Sequence, residues 1–327
     1  DKGIIRMPSK SVFFSAEDSL IQAKKATKIV NEILEDFQPD ILHAHTEFSS
    51  LKMLLEYQKK TKIPLVMSSH THWEKYMKNY FTFLPAGLAR RFAIMLMKRG
   101  FKHAHHIISP TENMHKVLLG YGITKPVTII PTGISTEDFP LVENREASTG
   151  KKVLLFVGRV SKEKNPAFLL DVMERVLPEC PDTVLRLVGD GPGRPVLEQS
   201  AKKRGIAHAV EFLGYMPRSE LPRLYREADI FTFPSKTETQ GLVTIESMLS
   251  GTPVVAIGEM GTIEVMNGDN GGFMVPDDCE IFSQRVIQLL KDPKLWKEKS
   301  AEAVQYAQGW TSPALAKRLL DAYNALL

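Results

Sequence analysis

The stretch Ile230-Phe-Thr-Phe-Pro-Ser-Lys-Thr-Glu-Thr-Gln-Gly-Leu-Val-Thr-Ile-Glu246 reads as strand, turn, loop and helix in immediate succession. An apolar strand, Ile230 to Phe233, runs into the turn Pro234-Ser235, and Gly241 opens a helix. Two carboxylates, Glu238 in the loop and Glu246 in the helix, stand eight positions apart. Eight residues is a little over two helical turns, so the spacing predicts that both face the space above the helix start. Free N–H groups and the positive dipole end favour a phosphate there. Carboxylates for hydroxyls beside amides for a diphosphate are what a sugar nucleotide requires.

Outward from this unit, strands alternate with helices along the whole chain, which predicts an α/β fold with parallel sheets wrapped by helices. In the first half, Ala23 to Phe37 and Ala86 to Phe101 read as helices. Asp40 to His43, Pro64 to Met67, His106 to Ser109 and Val127 to Ile130 read as strands. In the second half the strands are Val153 to Val157, Val184 to Val188, Val210 to Leu213, Ile230 to Phe233 and Pro253 to Ala256. The polar run Leu141 to Lys151, with Gly150, reads as a linker. The expectation is two Rossmann-like domains facing a cleft. Residues 1–140 form the first, 141–151 the linker and 152–310 the second, with 311–327 a terminal helix. Ligands in such folds bind at the carboxyl ends of strands.

The 327 residues suffice for two full cores, and 43% hydrophobic and 24% charged residues are ordinary for a globular protein. No apolar run reaches the roughly 18 residues of a membrane span. Cys180 and Cys279 lie far apart in no metal-like spacing, which predicts free thiols, a reducing cytoplasmic setting and no zinc. No signal peptide is expected from this sequence. The chain begins at Asp1 with no strand-loop-helix unit ahead of it, and reads as lacking N-terminal residues. The net charge of +4 is uneven: Trp73 to Lys116 holds eight bases against two acids, and eight of nine histidines lie between His43 and His115.

Other motifs are less specific. Gly158-Arg159, ending a strand, and Lys164 at a helix start can reach a diphosphate, with Arg a planar fork and Lys a point charge. They can equally be solvated charges near a turn. Gly189-Asp-Gly-Pro-Gly193 is a tight turn beside a nucleotide or an ordinary turn. Gly214-Tyr-Met216 ends another strand, where backbone groups suit a base, although a plain strand end is the simpler reading. His43, His45, His70 and His72 close two strands. No carboxylate or cysteine completes a metal set with them, leaving hydrogen bonding to a sugar or ordinary packing. In the helix 86–102, Arg91, Lys98, Arg99 and Lys102 fall within about a 100° arc among bulky apolar residues. That pattern fits an anionic membrane surface or a core helix with a basic edge.

The set Gly158-Arg159…Lys164, Gly189-Asp-Gly-Pro192, Pro234-Ser235, Glu238…Glu246 and Gly251-Thr-Pro-Val-Val255 resembles the retaining glycosyltransferases of family four, with the GT-B fold. Asp40-Ile-Leu-His-Ala-His45, His70-Thr71 and Ile130-Pro-Thr-Gly-Ile134 extend the match to the first half. Thr237-Glu-Thr-Gln-Gly-Leu242 and Ser69-His-Thr-His-Trp-Glu-Lys-Tyr76 look most like bacterial diacylglycerol glucosyltransferases. The resemblance implies that Arg159 and Lys164 grip the donor diphosphate, beside Gly158 and Gly189. Glu246 would hold the ribose, Glu238 the donor sugar, His70 its 6-hydroxyl, and the amides of Gly241 and Leu242 the phosphate, with the base near Met216. The C-terminal helix would cross back to the first domain. The family's N-terminal glycine-rich loop has no match here.

The implied reaction moves a hexose, with UDP-glucose as co-substrate, to a lipid such as diacylglycerol without metal or other cofactor. It would occur peripherally at the inner membrane face through the basic 86–102 helix, with no role for nucleic acid. The alternatives are hexosyl or mannosyl transfer to a soluble or lipid-linked glycan, a sugar-nucleotide binder inactive for want of its loop, and a sugar-nucleotide epimerase.

Overall fold

A computed structural model describes residues 4–12, 15–21, 23–46, 49–69, 86–238 and 240–327. The chain divides into two units, Asp1–Ile130 with Arg318–Leu327, and Pro131–Lys317. Both are built on parallel sheets. In the first, β3 (Leu42–Ala44), β4 (Leu65–Ser68), β5 (His106–Ser109) and β6 (Val127–Ile129) pair in sequence order. Helices Ala23–Phe37, Ser49–Thr61, Ala86–Phe101 and Glu112–Gly120 lie between and around them in the chain. An antiparallel pair, β1 (Ser9–Val12) with β2 (Ser15–Ile21), precedes this sheet and was not anticipated.

The second unit has six parallel strands: β7 (Lys152–Val157), β8 (Thr183–Val188), β9 (Val210–Gly214), β10 (Ile230–Phe233), β11 (Val254–Ile257) and β12 (Gly272–Val275). Their order is β12-β11-β10-β7-β8-β9. The direction of winding reverses between β7 and β10, so their carboxyl ends flank a crevice where such sheets bind ligands. Both sheet faces are buried: Leu154 and Phe156 of β7 enter one core, and Val153, Leu155 and Val157 the other. Alternate side chains of a strand point to opposite faces, so a strand covered on both sides reads as the continuous apolar run seen in the sequence.

By its contacts the chain divides at residue 130, ten residues ahead of the expected end of the first domain. Residues 131–140 belong to the second unit because Ile134 pairs with Thr311 and Phe139 is fully buried against Tyr225. The polar run 141–151 is no free linker either. The Val142 amide donates to the Leu249 carbonyl, and Arg145 donates to the carbonyls of Arg226, Ala228 and Ser250. A half-buried arginine satisfying three carbonyls is invisible to a composition argument.

The terminal helix Ser312–Asn324 starts in the second unit, where the Ser312 amide bonds Ile134, and its end belongs to the first. There Arg318 donates to the Ile129 carbonyl and Tyr323 meets His43.

Candidate functional site

The loops after β7 and β10 meet at the reversal point. After β7 the chain passes through Gly158 and Arg159 into the short turn Lys162–Lys164, closed by Asn165 in the left-handed region. The Asn165 amide group bonds the Pro234 carbonyl after β10, tying the two loops together. This brings Lys164 Nζ to 2.5 Å from Glu238 Oε1. The Glu238 carbonyl in turn accepts from the Gly261 amide. Gly158, Lys164, Glu238, Gln240, Gly241 and Leu242 all line one open pocket of about 320 Å³. Arg159 is exposed beside it, with no ion pair to any described residue.

Gly241 takes φ 67° and ψ 37° at the start of the helix Leu242–Leu249, and no side chain caps that end. The left-handed turn is open to glycine without strain. It leaves the first amides of the helix at the pocket wall, where their dipoles and N–H groups suit an anion. A cation, a carboxylate and uncapped amides therefore share one cavity, as the Glu238–Gly241 spacing suggests.

Glu246 lies elsewhere. It is more than one turn into the helix, does not line that pocket, and its side chain is 5% exposed. Glu238 precedes the helix, so helical spacing does not govern its position relative to Glu246. Glu246 Oε1 accepts from Arg218 at 3.0 Å, and Oε2 from the Tyr225 hydroxyl at 3.1 Å. Burial raises its pKa, while Arg218 and the Tyr225 hydrogen bond pull it down. Burial and the Glu246 charge push the Tyr225 hydroxyl well up. Arg218 also sits 4.8 Å over the Phe139 ring and 3.7 Å from Asp138. Neither Arg218 nor Tyr225 was singled out from sequence. The available signal was a lone charge in an otherwise uncharged helix, which demands a partner when buried.

Gly189 serves the backbone. At φ 122° a Cβ there would lie 2.0 Å from the Gly158 carbonyl oxygen. The Gly189 amide donates to Gly214 and the Gly158 amide to Val188, so three strand ends interlock beside the pocket. Met216, just beyond, is half-buried and packs against the second core.

In the first unit, His43 is a packed, satisfied histidine: Nδ1 lies 2.5 Å from the Tyr323 hydroxyl and Nε2 2.9 Å from Ser68 Oγ. His45 stacks on it at 4.1 Å. His70 and His72 lie outside the described residues. Along the helix Ala86–Phe101, Leu88, Phe92 and Met95 are exposed, and so are Arg91, Lys98 and Arg99. At 100° per residue the three apolar residues fall within about a 60° arc. They form an outward stripe flanked by the bases, so this is not a helix with only a basic edge. No helix of the described residues is long and apolar enough to cross a membrane. Among the described residues no group of three or more His, Cys, Asp or Glu is placed to hold a metal.

Comparison with known proteins matches residues 140–310 to the family "Glycosyl transferases group 1" and residues 5–138 to "Glycosyltransferase Family 4". The chain is 34% identical over 271 residues to an alpha-monoglucosyldiacylglycerol synthase of Streptococcus pneumoniae, covering 79% of this chain and 60% of that protein. It is 26% identical over 303 residues to the enzyme of the same name from Acholeplasma laidlawii, covering 88% and 76%. Among solved structures, Anabaena HepE in complex with UDP superposes with a TM-score of 0.71 at 19% identity, covering 92% of this chain and 82% of that one. The two sheets and their helices are thus the two-domain fold of GT-B glycosyltransferases.

Proposed function

This chain belongs to the group 1 glycosyl transferases, with a family 4 first half, and from that premise we propose that it moves a hexose from a nucleoside-diphosphate sugar to a membrane lipid. The donor is UDP-glucose, the acceptor a hydroxyl such as that of diacylglycerol, and the anomeric configuration is kept. The observation that carries the reading is Lys164 against Glu238 at the uncapped start of Leu242–Leu249. The names of the two synthases support the choice of acceptor.

Each group has a chemical task in this reading. Lys164 and Arg159 offset the charge that develops on the leaving diphosphate, and the Gly241 and Leu242 amides bind its oxygens. Glu238, held by Lys164, accepts from donor-sugar hydroxyls. Glu246 accepts from the ribose, near the base at Met216, and His70 meets the sugar's 6-hydroxyl. The acceptor oxygen bonds to the anomeric carbon on the face from which the diphosphate departs. The C–O bond to phosphate breaks, and the acceptor's proton passes to the departing phosphate oxygen. Positioning and fixed charge supply the rate, with no metal ion or other cofactor required. The stripe of Leu88, Phe92 and Met95, with Arg91, Lys98 and Lys102, lays the first unit on the anionic inner face of the membrane.

The test incubates the whole gene product with radiolabelled UDP-glucose and diacylglycerol vesicles, with and without a metal chelator. Label in the organic phase that is lost in Glu238→Gln and kept with chelator is expected. Bound UDP without lipid label would reject the lipid acceptor, and label in water-soluble product would assign a glycan instead.

A further inference from the structure

We propose that a cavity at the amino ends of β7, β8 and β9 binds one neutral hexopyranose ring, at a site apart from the pocket proposed for the donor. The cavity measures about 320 Å³, near the lower end of small-ligand sites, about 300 Å³. Thr183 and Ala209 are buried at its floor, and Lys151, Pro181, Asp182 and His208 are exposed around its rim.

Thr183 is 1% exposed, and its Oγ1 has no hydrogen-bond partner. Folded proteins rarely leave a buried polar atom in that state, because the hydroxyl has lost its water and gained no replacement. A valine would occupy the same strand position with a methyl in place of the hydroxyl and without that cost. A ligand hydroxyl reaching the floor of the cavity supplies the partner that the protein withholds. The rim adds further uncommitted groups. The side chains of Asp182 and His208 have no hydrogen bond or ion pair with any described residue.

These groups select the ligand. A carboxylate accepts from neighbouring hydroxyls, an ammonium donates, and an imidazole or a threonine hydroxyl offers both a donor and an acceptor. A ring of adjacent hydroxyls, each a donor and an acceptor, matches that mixture, and an ion does not. A phosphate would face the Asp182 carboxylate, while the Lys151 charge is already shared with Glu211 at 3.4 Å. A metal ion would find only Asp182 and His208 beside an ammonium, and among the described residues no group of three His, Cys, Asp or Glu is placed to hold one. Pro181 and Ala209 present small apolar surfaces to the C–H face of a pyranose. No Phe, Tyr or Trp lines the cavity to stack a nucleobase.

Position separates this cavity from the reaction. Lys151 stands just before β7, Thr183 opens β8 and Ala209 stands just before β9. Gly158, in the pocket proposed for the donor, lies just past the other end of β7. The six residues of β7, at about 3.3 Å each, put about 20 Å between the two edges of the sheet. Substrates of this fold class bind at the carboxyl edge, so a sugar held at the amino edge is not the one transferred.

The test uses neither sugar nucleotide nor acceptor, so its failure leaves the transferase reading untouched. The intact protein is titrated by NMR with glucose and, separately, with maltose. Saturable binding with a Kd of about 1 mM is expected. Asp182→Ala with His208→Ala, both at exposed positions, should weaken it about tenfold or more, as loss of hydrogen bonds to a charged group does. Thr183→Val should weaken it too, while raising the urea midpoint of the free protein, a pair of effects that a merely structural threonine would not give. Glu238→Gln should leave it within about twofold, as a distant and independent substitution does. Loss in Glu238→Gln, with none in the amino-edge variants, would place the sugar in the other pocket and overturn the site. A lowered midpoint in Thr183→Val would mean that Oγ1 has a partner within the protein, and would overturn it as well. So would the absence of saturation by about 10 mM. Displacement by inorganic phosphate at the sugar's own concentration would overturn the neutral-sugar assignment. Glucose and maltose divide a free sugar from the end of a glycan, and binding of either supports the site.

Discussion

The contact between Lys164 and Glu238 shows how far individual residues could be read in advance. Both lie in loops at strand ends and both were expected at the donor, because loop glycines and charges after strands are where α/β sheets meet ligands. Lys164→Gln is expected to lower kcat for hexose transfer about 10²–10³-fold, the cost of removing one preorganised charge-stabilising donor. Steady-state label transfer checks it, and a change in KM alone would place Lys164 outside the chemistry. Arg218 was not legible, since it stands 28 residues before Glu246 and only the folded chain brings the two together. Its removal leaves a buried carboxylate without its cation, so the Glu246 pKa, already raised by burial, must rise further. In the proposed function the ribose hydroxyls need the ionised form of Glu246 as acceptor, so donor affinity is expected to fall as pH falls through this pKa. In Arg218→Gln that fall should begin at higher pH. Calorimetric titration of UDP between about pH 5 and 8 decides it. An unmoved profile would remove Arg218 from the positioning of Glu246.

Whole elements were easier to read than their boundaries. The helices Ala23–Phe37 and Ala86–Phe101 and most strands follow from apolar runs bounded by turn residues. β12 was missed because Phe273-Met-Val275 is only three apolar residues between glycines and Pro276. The antiparallel pair β1 and β2 was missed because its residues are mostly polar. The run 141–151 is held more closely than its composition suggests: polar composition signals exposure, yet Arg145 donates to three carbonyls and lies 5.3 Å from the Trp296 ring. Arg145→Ala should destabilise the second unit by about 2–4 kcal/mol, since carbonyls paired to a charged donor are left unsatisfied. Urea unfolding followed by tryptophan fluorescence measures this. A loss under about 0.5 kcal/mol, the range of surface substitutions, would return the segment to the status of a linker.

At the scale of the molecule, the two units carry different charge. The second unit holds the cation–carboxylate pocket, while the excess of bases between Trp73 and Lys116 lies in the first. Sequence reading caught that asymmetry and the basic arc of the helix Ala86–Phe101. The folded chain adds that Leu88, Phe92 and Met95 point outward as well. The proposed adsorption to an anionic membrane then has two separable parts. Raising salt from about 0.1 M to 1 M cuts the Debye length from about 10 Å to 3 Å and removes most of the part owed to Arg91, Lys98 and Lys102. The apolar part survives salt. Burial of a ring such as Phe92 contributes about 1.5–3 kcal/mol, so Phe92→Ser should lower vesicle partitioning about tenfold or more at high salt as well as low. UDP binding should be unchanged, because Phe92 and the pocket proposed for the donor belong to different units. Sedimentation with anionic vesicles measures both effects on one variant. Partitioning that vanishes in salt and ignores Phe92→Ser would mean a purely electrostatic surface, with the apolar stripe turned to some other partner.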